Sequence, residues 1–155
     1  MTEIEDFIEN YLKSDFESIR FNWNGKHGDE FHDPNRDFRI KVCEYLVDDL
    51  TIAPDELIVD LYTELSKSSR ESWEVYGKYH LFAQELIKRG PIKNLEIYIQ
   101  GARQSFDTAI ASGRISVSDE TKQQILNYLK TESAKGSLSL SESDIEFANH
   151  RFKIT

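Results

Sequence analysis

Residues 54–65 read Pro-Asp-Glu-Leu-Ile-Val-Asp-Leu-Tyr-Thr-Glu-Leu. Leu57, Ile58, Leu61, Tyr62 and Leu65 recur at helical spacing, one apolar stripe on a 3.6-residue period. Pro54 opens the stretch, and Asp55 and Glu56 complement the positive end of a helix dipole. The pattern is that of an amphipathic helix, and the rest of the chain repeats it.

Upstream, Asp33-Pro34 predicts the cap and first residue of a helix over 34–50, with Phe38, Val42, Tyr45 and Leu46 inward. Thr2 and Glu5 fit a capping box, and Ile4, Phe7, Ile8, Tyr11 and Leu12 predict a helix over 3–13. Downstream, Ser68 and Glu71 suggest a second capping box for a helix over about 70–89. That segment is apolar on two faces (Trp73, Tyr76, Ala83, Ile87 and Val75, Tyr79, Phe82, Leu86), which predicts a central position. Gly90-Pro91 stops it. Further helices follow over 92–112, with Leu95, Ile99, Ala102, Phe106 and Ile110 inward, and over 119–132, capped by Ser118 and anchored by Ile125, Leu126 and Leu129. Between 18 and 31, Ile19, Phe21 and Trp23 alternate with polar residues and Asn24-Gly25 suits a type I′ turn, the signature of a short β-hairpin. The expected fold is all-α: about seven helices in antiparallel, repeat-like helical hairpins, plus that one β-hairpin. Residues 1–132 read as a single helical domain, 133–143 as a Ser-rich linker, and 144–155 as a short C-terminal helix, capped by Ser143 and Glu146, packing back on the domain.

Helix starts near 34, 54, 70 and 92 give pair-to-pair spacings of 36 and 38 residues, between the ~34 of tetratricopeptide and the ~40 of HEAT units. Trp73-x2-Tyr76-Gly77-x2-His80 resembles the first half of a tetratricopeptide repeat, and Ala102-x3-Phe106-x2-Ala109 resembles its second half. The two halves stand about 13 residues too far apart for that repeat. The resemblance implies a packed helical hairpin in which Gly77 and Ala102 permit close approach, not a peptide-binding groove.

Composition narrows the function. The chain has 155 residues, 39% apolar and 12% aromatic, enough for one core. Its one cysteine, Cys43, can form no internal disulfide and reads as a buried small residue. The N-terminus shows no basic and apolar leader pattern, and no apolar run approaches a membrane span, so the expectation is a cytoplasmic protein without membrane contact. No phosphate-binding loop, dinucleotide fingerprint or nucleophile elbow occurs, and no cofactor is expected.

The net charge of −9 is concentrated at one end. Residues 1–65 hold 17 acidic and 6 basic side chains, a net of −11; residues 66–155 hold 11 and 13, a net of +2. Glu3, Glu5, Asp6, Asp33, Asp55 and Glu56 suit caps and first turns. Asp48 and Asp49, in the last turn of the 34–50 helix, do not. Glu44 and Asp48, and Glu56, Asp60 and Glu64, are spaced i, i+4, which predicts a single-signed ridge across two helices. Such a face serves solubility or binds a basic protein surface, and it repels nucleic acid.

Residues 22–33 (Asn-Trp-Asn-Gly-Lys-His-Gly-Asp-Glu-Phe-His-Asp) gather the chain's other unusual chemistry. His27, Asp29 and His32 are candidate metal ligands, although H-x4-H is not a helical ligand spacing. The same loop reads as an exposed loop, or as an interaction loop with Trp23 or Phe31 as aromatic anchor. His80 reads as a core histidine. The expected function is an acidic protein-binding module whose contact residues are Glu44, Asp48, Asp49, Glu56, Asp60, Glu64, Trp23 and Phe31. In size, charge sign and lack of catalytic motifs the chain resembles the small acidic immunity proteins that bacteria make against delivered toxins. That resemblance implies a basic partner, such as a nuclease toxin domain, inhibited by occlusion. The alternatives are a metal-dependent enzyme built on the His27–His32 loop and a helical-repeat scaffold.

Overall fold

The structure, a computed structural model, describes residues 2–155. Those residues form eight α-helices, three short 3-10 turns and no strand. Helix α1 (Glu3–Glu9) begins with the expected capping box: Glu5 N–H donates to Thr2 Oγ1 at 3.1 Å, and Thr2 N–H donates to Glu5 Oε2 at 2.9 Å. It ends earlier than the periodicity suggests, because the chain turns at Asn10 and a 3-10 turn (Lys13–Ser18) follows.

Helix α2 (Arg36–Leu46) is shorter than expected at both ends. Asp33 does not cap it. Its carboxylate is buried against Arg39 at 2.7 Å and accepts the Asn22 and Asn35 amides. The buried stripe is Arg39, Val42, Cys43 and Leu46, rotated from the predicted one, so Tyr45 is exposed rather than inward. Asp48 and Asp49 lie just beyond the helix, and Asp49 caps the 3-10 turn Leu50–Ile52 by accepting the Thr51 amide.

Helix α3 (Asp55–Ser72) carries Leu57, Ile58, Leu61, Tyr62 and Leu65 inward, as the opening stretch predicts. It runs straight through Ser68, so no new helix starts there. It ends at Trp73, held at φ 62°. The predicted 70–89 helix is therefore the end of α3, a loop, and α4 (Tyr79–Arg89), with Tyr79, Phe82, Ala83, Leu86 and Ile87 buried. The 92–112 helix is likewise two: α5 (Leu95–Ala102) and α6 (Phe106–Ser112), broken by a Ser105–Thr108 capping box. Phe106 and Ile110, expected inward, are exposed.

Helix α7 (Asp119–Lys135) is capped by Ser118, and α8 (Glu142–Arg151) by Ser141 with Asp144, two residues before the predicted cap. In the Ser-rich stretch, residues up to Lys135 are helical, Leu140 is buried, and Ser139 donates to Glu96. Arg151 fastens α8 by donating to Tyr98 Oη, Ser112 Oγ and Ala109 O.

Helix α3 is the hub, packing on α4, α5 and α6. Tyr62 stacks on Tyr79 and Tyr98 and donates to the Tyr98 carbonyl at 2.5 Å; Tyr98 donates to Ser112 O, and Ser66 bonds Tyr79 Oη. Each buried phenol thus has a partner. Where the β-hairpin was predicted there is a loop with a 3-10 turn at Gly28–Glu30. The Asn24 side chain organises it, donating to Glu30 O and accepting the Lys26 and His32 amides, so local side-chain bonds replace a strand ladder.

Candidate protein-binding surface

The predicted acidic ridge separates into buried and exposed parts. Asp60 and Glu64 are only 6% and 2% exposed. The N-terminal segment lies over them. Tyr11 Oη donates to Asp60 at 2.7 Å, Lys13 Nζ pairs with it at 2.8 Å, and burial together with that bond pushes the Tyr11 phenol well above its ordinary pKa. Glu64 accepts the Phe21 amide at 2.9 Å and pairs with Lys67 at 2.9 Å. These carboxylates fasten residues 11–21 onto α3. They are buried and paired within the fold, which corrects the predicted solvated i, i+4 ridge.

The remaining acids surround an apolar patch. Tyr45 (40% exposed) and Ile52 (49% exposed) stand out from the end of α2 and the turn after it. They line two adjoining grooves. One is completed by Glu5, Ile8 and Glu9, the other by Ile4, Ile40, Lys41, Glu44, Asp48 and Asp49. Two apolar side chains thus sit within a rim of Glu5, Glu9, Glu44, Asp48 and Asp49, with Lys41 the one basic side chain lining either groove among the described residues. The rim is partly fixed. Tyr45 Oη donates to Glu5 at 3.0 Å, and the Thr2 amide and this phenol hold the Glu5 carboxyl below its ordinary value. Bonds from Thr51 do the same for Asp49. Glu44 accepts from Tyr76 Oη. Glu56 is exposed at the start of α3.

The 22–33 loop takes another form. His27 stacks on Trp73 (4.9 Å between ring centroids, 3° between planes), packs against Trp23, and reaches Glu71 with Nε2 at 3.2 Å. Phe21 stacks between Trp23 and Phe31. His27 is thus committed to Trp73 and Glu71 instead of to Asp29 and His32, and among the described residues no three His, Cys, Asp or Glu side chains gather as a metal site. Trp23 and Phe31 are half-buried in this stack, whereas Trp73 is 68% exposed at a left-handed φ. A bulky residue there is uncommon and carries backbone strain. Cys43 is fully buried, and desolvation pushes its thiol up to about 12, which leaves it unreactive. His80 is half-buried.

Comparison with protein families, with curated proteins and with solved structures finds no match to the chain. Of the residues around this candidate patch, the sequence pattern points to Glu44, Asp48 and Asp49 and not to Tyr45 and Ile52, the apolar centre. A signal for Tyr45 was present: Arg39 sits at i, i+3, i+4, i+7 with Val42, Cys43 and Leu46, and a stripe through those four turns Tyr45 outward.

Proposed function

We propose that the chain is an acidic protein-binding module that covers a basic surface of its partner with the Tyr45–Ile52 patch. The observation that carries this reading is an exposed aromatic and an exposed aliphatic side chain ringed by five carboxylates and one lysine. An apolar centre with a charged rim is the anatomy of a recognition surface, and the aromatic residue is the natural anchor. The predominantly acidic rim speeds encounter with a cationic protein and opposes acidic ones.

The likeness in size and charge to toxin-immunity proteins extends the proposal to a cytoplasmic inhibitor of a nuclease toxin domain. Inhibition is by occlusion: carboxylates of the rim take the place of substrate phosphates against the toxin's cations, and Tyr45 fills an apolar recess beside them. Glu56 belongs to the periphery of this surface. Contacts of α3 with α4 and of α5 with α6, across short connections, support an antiparallel-hairpin arrangement beneath it. The test is nuclease activity of the protein encoded by the neighbouring reading frame, assayed with and without the chain. Stoichiometric inhibition that is lost in Tyr45→Ala supports the reading; inhibition untouched by that change places the contact elsewhere.

A further inference from the structure

We infer that the open face of the Trp73 indole receives an arginine side chain of the basic partner, with Glu74 as the neighbouring carboxylate. The inference rests on the proposed function for the partner's charge, and it adds a second anchor to the contact surface.

Trp73 ends α3 at φ 62°, with its N–H donating to Ser69 O at 3.1 Å. Glycine or asparagine makes such a helix end without strain. The fold therefore has no need of an indole here, yet the residue is held in this backbone and left 68% exposed. Strain of this kind persists where the surroundings enforce it, and it gathers at functional positions.

The surroundings hold the indole firmly. The His27 ring lies on it, 4.9 Å between centroids and 3° between planes, and Trp23 packs against His27. Trp23 is itself pinned, its Nε1–H donating to Lys26 O at 2.8 Å. One indole face is thus covered and the other is open. The covered face shows what the ring accepts: a flat nitrogen group whose Nε2 lies 3.2 Å from the Glu71 carboxylate. A guanidinium is flat in the same way, always charged and weakly hydrated, so it stacks on an indole better than an ammonium does. The next carboxylate along the chain is Glu74, whose side chain is largely exposed and meets Arg36 only at 3.4 Å, a weak pair that an incoming guanidinium displaces.

Position ties Trp73 to the acidic patch. Tyr76 Oη donates to Glu44, a member of the rim. Trp73 stands three residues before Tyr76, a span of at most about 11 Å. A standard interface covers roughly 800 Å² per partner, a disc about 32 Å across, so one partner covers Tyr45, Glu44 and Trp73 together.

The test titrates the full chain with the peptide acetyl-Arg-Gly-Arg-Gly-Arg-amide, and with its lysine and citrulline counterparts, at matched ionic strength. ¹H–¹⁵N spectra follow the indole Nε1–H signals, the amides of residues 71–75 and those of Glu44, Asp48 and Asp49. The Trp73 indole should shift and saturate with the arginine peptide, while the Trp23 indole shifts little. Trp73→Asn, which suits the left-handed backbone, and Glu74→Gln should each weaken that peptide about two- to fivefold, the worth of an exposed cation–π contact or ion pair. The lysine peptide should bind less tightly, and the flat but uncharged citrulline peptide least; circular dichroism checks that both variants fold. A Trp73 indole that stays in place while the rim amides shift overturns the inference and leaves the Tyr45–Ile52 reading standing. So does an affinity that is equal for arginine and lysine, or that neither variant changes. Shifts at Trp73 without any at the rim support the inference and count against the Tyr45–Ile52 reading.

Discussion

Gly101→Ala should destabilise the protein, although helix propensity argues the other way. Gly101 lies within α5, where alanine is favoured over glycine by about 1 kcal/mol. A Cβ at this position would stand 2.4 Å from Tyr62 Cε1, 2.7 Å from Tyr62 Cζ and 2.7 Å from Ser66 Oγ. Carbon contacts normally lie near 3.5–4.0 Å, so something must move by more than an ångström. Tyr62 cannot move cheaply. It is fully buried, its hydroxyl is bonded to the Tyr98 carbonyl, and its ring is stacked between Tyr79 and Tyr98. Overpacking of this kind costs about 1–3 kcal/mol or more. A displacement of more than an ångström puts this cost at the upper end, about 2–3 kcal/mol, so that against the propensity gain the net loss is about 1–2 kcal/mol, which lowers Tm by roughly 2–8 °C for a chain of this size. Urea unfolding followed by circular dichroism reads it directly. Gly77→Ala is the control: that glycine is exposed, nothing lies within 4 Å of an added Cβ, and the change should stay within about 0.5 kcal/mol. A Gly101→Ala midpoint equal to or above wild type would refute the packing of α5 on α3.

Asp33→Ala should cost about 3–5 kcal/mol, because it strands the buried Arg39 guanidinium and the Asn22 and Asn35 amides; denaturant midpoints measure it. Asp60→Lys and Glu64→Lys should unfold the chain, while Asp48→Lys should leave its thermal midpoint within about 2 °C, since Asp48 is exposed and has no ion-pair partner among the described residues. Tyr45→Phe should move the Glu5 carboxyl titration, followed by NMR, up towards its ordinary 4.5. Because the Glu5 value is depressed in the folded protein, its stabilising contribution is present above about pH 4.5 and fades as pH falls through the folded value. Removing the Tyr45 hydroxyl should therefore weaken the protein near neutral pH and leave it unchanged well below the folded value.

The helices were legible where the signal is local. The Thr2–Glu5 box, the stripe from Leu57 to Leu65 and the anchors Ile125 and Leu129 all follow from spacing within one element, and all are found. Several of the errors have one cause, a partner distant in sequence; others come from a misread stripe or a nearby partner. Asp60 and Glu64, read from spacing alone, belong to a solvated face. Tyr11, Lys13 and Phe21, more than forty residues away, make their burial tolerable. Asp33 reads as a cap until Arg39 is known to be buried beside it. The acidic rim of the Tyr45–Ile52 patch was legible in its charges and its apolar centre was hidden, because choosing Phe38 instead of Arg39 for the α2 stripe rotates Tyr45 into the core. Trp73 gave no sign of its role. Its stacking partner His27 is 46 positions away in the sequence, and its left-handed backbone is one that sequence reasoning assigns to glycine or asparagine.

The most direct measurement is calorimetric titration of the protein encoded by the neighbouring reading frame with wild-type chain and with the double variant Glu9→Lys, Asp48→Lys. Both side chains are exposed and neither makes a side-chain hydrogen bond or ion pair among the described residues, so folding is preserved, and reversing two rim charges should weaken binding by about ten- to a hundredfold, with a shallower dependence of the affinity on salt. Unchanged affinity and unchanged salt dependence would contradict recognition through the acidic rim of Tyr45 and Ile52.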